Sequence, residues 1–93
     1  MTPRTFSILV VAALAGACAS STDDWERSAN AWIGSPFAKL AARYGEPSSI
    51  RLEANGDRAM RYQLREVDDS CLQTWVVDKS NIIVGQYHYG RCR

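Results

Sequence analysis

The stretch Ser49-Ile50-Arg51-Leu52-Glu53-Ala54-Asn55-Gly56-Asp57-Arg58-Ala59-Met60-Arg61-Tyr62-Gln63-Leu64 decides the fold. Apolar side chains recur at every second position, Ile50 and Leu52 before Asn55-Gly56 and Met60, Tyr62 and Leu64 after it. A period of two marks a strand with one buried face, and Asn-Gly is the strongest short-range hairpin signal. A two-residue loop would set Ile50 opposite Arg61 and mix the faces. A three-residue loop at 55–57 sets Ile50 opposite Tyr62 and Leu52 opposite Met60. The apolar faces require the second arrangement, because a one-residue slip inverts every side chain.

Toward the C-terminus, residues 66–70 carry three carboxylates and read as a connecting loop. Two further strands, 72–77 and 82–89, flank Asp78-Lys79-Ser80-Asn81, which has turn chemistry without a glycine. Pairing Val77 with Ile82 and Trp75 with Val84 brings Cys71 near His88, with Cys92 a few residues beyond. A Cys71–Cys92 disulfide follows, and closing a loop of about 20 residues stabilises by roughly 3 kcal/mol in the chain-entropy model.

Toward the N-terminus the period changes to that of a helix. Asp23-x-x-Glu26 has capping-box spacing, and Trp25, Ala29, Trp32 and Ile33 form one apolar stripe. Gly34 ends that helix. Ser35-Pro36 begins another, with Phe37, Leu40, Ala41 and Tyr44 as its stripe and Gly45 and Pro47 as its stop. The expected fold is α+β: an N-terminal helix pair packed on a four-stranded antiparallel β-meander, fastened by one disulfide. Residues 23–93 form this single domain.

The first 17 residues have the order of an export signal: Arg4, an uncharged apolar run at 6–14, then small residues. The run is about half the ~20 residues needed to span a bilayer. Leu14-Ala15-Gly16-Ala17-Cys18 resembles the lipobox of bacterial lipoproteins, although Ala15 stands where a larger aliphatic residue is usual. The resemblance implies cleavage before Cys18, acylation of its sulfur with a diacylglycerol, and a short tether at 18–22. Ala15-x-Ala17 also fits ordinary secretory cleavage at the same bond. Three cysteines are an odd number for an oxidising compartment; lipid on Cys18 leaves Cys71 and Cys92 as one pair. In the lipoproteins that this stretch resembles, an Asp after the cysteine holds the protein at the inner membrane; Ala19 stands there instead, so the resemblance implies the outer membrane, with the domain facing the periplasm.

Chemistry-bearing motifs are sparse. With 11 Lys+Arg against 10 Asp+Glu, no basic excess exists to neutralise a phosphate backbone, so nucleic acid is not an expected partner. His88 is the sole histidine and is expected on an exposed strand face; no metal set, cofactor or small-molecule substrate is expected. Glu46, Glu53 and Glu66 show no pairing for acid/base work, no nucleophile sits in a recognisable elbow, and no enzymatic role is expected. Arg51, Arg61 and Arg65, with Arg58, can form a cationic stripe for an acidic partner, or simply a solvated face that discourages edge pairing. Tyr87 and Tyr89 share a face of the last strand and can contact a partner or pack under the helices.

Trp32-Ile33-Gly34-Ser35, Leu40 and Tyr44-Gly45-Glu46-Pro47, followed by strands with Tyr62, Cys71, Trp75 and Cys92, resemble small proteobacterial lipoproteins. The segment from Gly34-Ser35 to Gly45-x-Pro47 is similar to the SmpA/OmlA lipoproteins, accessory components of outer-membrane barrel assembly that fold as a helix pair against an antiparallel sheet. The resemblance implies an envelope lipoprotein with an interaction or scaffolding role, bound to the membrane through its lipid and to an envelope protein. It carries no partner-binding residues to this chain. A second expectation, of another class, is a periplasmic inhibitor that blocks a hydrolase with the Asn55-Gly56 turn or the 66–70 loop.

Overall fold

The computed structural model describes residues 21–93, with side chains from Asp24 onward. Helix α1 (Ser21–Asn30) and helix α2 (Phe37–Tyr44) precede β1 (Ser49–Leu52), β2 (Arg58–Gln63), β3 (Leu72–Val77) and β4 (Ile83–Tyr89). The strands form one sheet in the order β1-β2-β3-β4, antiparallel at every pairing. The expected helix pair, meander and disulfide are all present. Residues 1–17 and the acylation expected at Cys18 lie outside the described residues.

The first hairpin has the expected faces but a different register. Ile50 pairs with Met60 and Leu52 with Arg58, rather than with Tyr62 and Met60. The three-residue loop falls at 54–56 instead of 55–57: the Glu53 N–H donates to the Asp57 carbonyl and the Gly56 N–H to the Glu53 carbonyl. Gly56, the third loop residue, has φ +93°, the left-handed position such loops require. Moving the loop by one residue shifts the pairing by two, so every side chain keeps its face.

The second hairpin repeats this design with asparagine. The Asp78 N–H donates to the Ile82 carbonyl and the Asn81 N–H to the Asp78 carbonyl, closing a three-residue loop at 79–81 with Asn81 at φ +66°. Val77 therefore pairs with Ile83, not Ile82, and Trp75 with Gln86, not Val84. A register shift at Val76/Val77 opposes one strand with an extra residue. This bulge puts Ile83 into the core, fully buried, and leaves Val84 46% exposed.

The helices end differently from the sequence expectation. Asp23 lies within the first turn of α1, not at its cap, and α1 stops at Asn30. Residues 31–33 tighten into a turn in which the Trp32 and Ile33 N–H groups donate to the Ala29 and Asn30 carbonyls. Trp32 packs on the core, but Ile33 turns outward and is 43% exposed. Pro36 is the N-cap of α2 rather than its first helical residue, and no side chain caps that end. The corner has another task. The Gly34 N–H donates to the Ile83 carbonyl and the Ile83 N–H to the Ser35 carbonyl, with Pro36 bridged to Ile82. The helix corner thereby closes the start of the β4 edge, which would otherwise offer unpaired backbone groups.

One face of the sheet buries against the helices. Trp75, Val77, Ile83 and Leu40 are fully buried, and Tyr44 stacks between Trp32, Tyr62 and Trp75 at centroid distances of 6.3, 6.1 and 5.4 Å. The Trp75 indole N–H donates to the Ala29 carbonyl at 3.1 Å, so the largest buried side chain also fixes the end of α1. Cys71 and Cys92 are bridged across a Cα–Cα distance of 4.9 Å and are buried in the same core.

Candidate functional surface

Among the described residues, the opposite face of the sheet carries no helix. Register places Ser49, Arg61, Thr74 and Tyr87 side by side across four strands, with Arg51, Ala59, Val76 and Gly85 in the neighbouring row. Gln63, Leu72 and Tyr89 continue the face toward the disulfide end. Thus Arg51, Arg61, Tyr87 and Tyr89, singled out from separate strands, share one surface. Arg65 does not join them: it lies beyond β2, exposed in the connection to β3. The tyrosines turn away from the helices, 42% and 65% exposed, and meet edge to face at 5.9 Å.

The centre of this face is shielded from solvent. Ala59 and Thr74, at 1% exposure each, are small residues on the two inner strands, so their larger neighbours stand above them. The arginines flank this centre on the β1 and β2 side and the tyrosines flank it on the β4 side. Arg51 lies 3.8 Å from Glu53 on the same face of β1, while Arg61 forms no ion pair among the described residues. The Thr74 hydroxyl is buried and has no hydrogen-bond partner among them. An unmet hydroxyl in a low-dielectric site costs free energy. The surface can therefore accept an anionic group at Arg61 and an apolar or aromatic one against the tyrosines.

The helix-facing side holds a polar network that period-two reasoning missed. The Trp25 indole donates to Gln73 Oε1 at 2.7 Å. Gln73 Nε2 donates to Gln86 Oε1 at 3.0 Å, and Gln86 Nε2 donates to Glu26 Oε2 and Asn30 Oδ1 at 3.0 and 2.9 Å. His88, expected on an exposed face, points to the helix side with 16% of its side chain exposed and its Nδ1 3.7 Å from Glu26. Strand position gave the parity; α1 supplied the partners that make polar residues tolerable there. No group of three His, Cys, Asp or Glu side chains converges on a metal-sized site among the described residues.

Two ionisable groups are displaced from their usual range. Burial, with the Glu46 carboxylate as the lesser cause, pushes the Tyr62 phenol up to about 12; its hydroxyl donates to the Gly45 carbonyl at 2.9 Å. Asp68 is held below the usual carboxylate range by the Ser70 N–H and hydroxyl. The second group shapes the 66–70 connection, where the Ser70 hydroxyl also accepts from the Arg91 N–H at 3.1 Å. Both effects secure turns around the core and neither lies on the open face.

No protein-family model, curated protein or solved structure matches this chain.

Proposed function

We propose that this protein is an exported, membrane-anchored lipoprotein of the outer membrane. Its periplasmic domain serves as a non-enzymatic interaction module, binding an envelope protein through the open sheet face. The observation that carries the reading is the gathering of Arg51, Arg61, Tyr87 and Tyr89 on one sheet face that neither described helix covers. Aromatic and arginine side chains are enriched where proteins meet. The leader-like first 17 residues, the lipobox-like approach to Cys18 and the resemblance to the SmpA/OmlA lipoproteins favour an envelope setting.

Metabolic labelling with an alkyne fatty acid tests the anchor. Label on the wild type and none on Cys18→Ser is expected; label on both or on neither overturns it. A photocrosslinking residue at Tyr87 in the native envelope tests the face. A membrane-associated adduct that Arg61→Glu suppresses is expected, whereas a soluble hydrolase as the captured species would replace the scaffold by an inhibitor.

A further inference from the structure

The two edges of the sheet are treated differently. The helix corner closes the start of β4, but among the described residues β1 is the outermost strand on its side, with β2 as its sole sheet neighbour. The Glu53 N–H points toward β2's side of the first hairpin, donating to the Asp57 carbonyl. Alternation along an antiparallel ladder then directs the N–H and C=O groups of Ile50 and Leu52 away from β2, into the open edge. Their side chains lie on the helix-facing side of the sheet, yet the helices do not reach them. Ile50 is 59% exposed and Leu52 72%, the highest value for a large apolar side chain among the described residues.

We infer that β1 is a self-pairing edge, joining two copies of this chain into a continuous eight-stranded antiparallel sheet about a two-fold axis at Leu52. In that register Leu52 meets the second copy's Leu52, and Arg51 and Glu53 each meet their opposite charge on the second copy. Ile50 falls opposite the second copy's Ala54. The apolar side chains share one face and the four charges the other, so Leu52 loses solvent while both ion pairs stay at the surface.

Neighbouring registers lack this complementarity. Centring the axis on Arg51 sets two arginines directly opposite, which is destabilising. Centring it on Ile50 sets Arg51 against Ser49 and leaves Leu52 opposite Ser48. The charges that protect an edge from indiscriminate pairing here select one register. An edge this short buries less than the roughly 1,200 Å² of a stable complex, so the dimer belongs to the transient class. It uses the edge and not the open face as a whole, but the two share Arg51, so dimer trapping is read separately from crosslinking at Tyr87.

Covalent trapping in the full chain tests the inference, with Cys18 retained in every variant so that the wild type gives the baseline. A hydrogen-bonded antiparallel pair has Cα atoms about 5.5 Å apart, within reach of a disulfide. Leu52→Cys is therefore expected to form a covalent homodimer under mild oxidation. Arg51→Cys is expected to remain at baseline, because its two copies are offset by two residues, roughly 7 Å along the strand. In the Leu52→Cys background, Arg51→Glu should lower trapping by about tenfold through two like-charge pairs. Adding Glu53→Arg should restore it. Equal trapping at positions 51 and 52, no trapping at 52, failure of the charge swap to restore the dimer, or capture of a different protein at Leu52→Cys each overturns self-pairing.

Discussion

The indole N–H of Trp25 donates to the side-chain carbonyl of Gln73 at 2.7 Å, across 48 residues of chain, and both residues are buried. This bond joins the first helix to a central strand, and Gln73 extends it through Gln86 to Glu26 and Asn30. Replacing Gln73 with Leu leaves the indole N–H without an acceptor. The expected loss is about 1–3 kcal/mol, the usual cost of stranding a buried polar group, read from denaturant unfolding. Adding Trp25→Phe should recover part of it, because the stranded donor is then gone.

The Cys71–Cys92 bridge closes a separation of 21 residues. Cys71→Ala is expected to lower stability by roughly 3 kcal/mol. Reduction of the wild type should lower its melting temperature comparably; an unchanged melting curve would count against the bridge as a stabilising element.

Gly90 and Gly34 separate backbone strain from steric overlap. Both have positive φ, +82° and +96°, but a Cβ on Gly90 would overlap the Ser70 carbonyl oxygen while one on Gly34 meets nothing within 4 Å. Gly34→Ala should therefore cost only the conformational penalty, about 1–2 kcal/mol. Gly90→Ala should cost more and slow disulfide closure, because Ser70 adjoins Cys71. Equal unfolding midpoints for the two variants would contradict this.

Alkaline stability should report on Tyr62. Its folded pKa is raised to about 12 from 10.0 by burial first and Glu46 second. Between those values the folded state binds more protons than the unfolded one, so stability falls as pH rises. The contribution is fully present below pH 10 and is lost on passing the folded value. Tyr62→Phe should flatten that slope in pH-dependent unfolding, at the expense of about 1 kcal/mol at neutral pH from the lost bond to Gly45.

Thr74→Val keeps the shape of the shielded centre and removes the unpartnered hydroxyl. Stability should be unchanged or rise by about 1 kcal/mol, measured by thermal unfolding. Crosslinking from Tyr87 should not change, because the hydroxyl is shielded from the surface. A clear stability loss would show that the hydroxyl makes a bond inside the domain.

Much of the architecture is legible in residue order. Met60, Tyr62 and Leu64 alternate and are all buried; Leu40 and Tyr44 face the core as their helical spacing demands. That Arg51 and Arg61 share a face also follows from parity, since a strand offers only two sides, whereas Tyr87 and Tyr89 could pack under the helices until the β3–β4 pairing placed them on the same face as the arginines. What parity could not give was the exact partner of each residue. Loops at 54–56 and 79–81 replaced those expected because turn hydrogen bonds and the positive φ of Gly56 and Asn81 fix the registers: the first moves by two residues at no change of face, while the second moves by one at the turn and by two beyond the Val76/Val77 bulge, which turns Ile83 inward and Val84 outward.

Sequence by itself therefore determined the elements, their order, their buried sides and the cysteine pair, because these rest on local periodicity and on thiol number. Only the tertiary structure decided that Gln73 and His88 lie inward, that Ile50 and Leu52 remain bare and that Thr74 is buried without a partner. Those outcomes depend on how far a helix layer of two short segments extends over a four-stranded sheet. No local pattern encodes that reach, because it is set by where Trp25 and Trp75 lock α1 to the sheet.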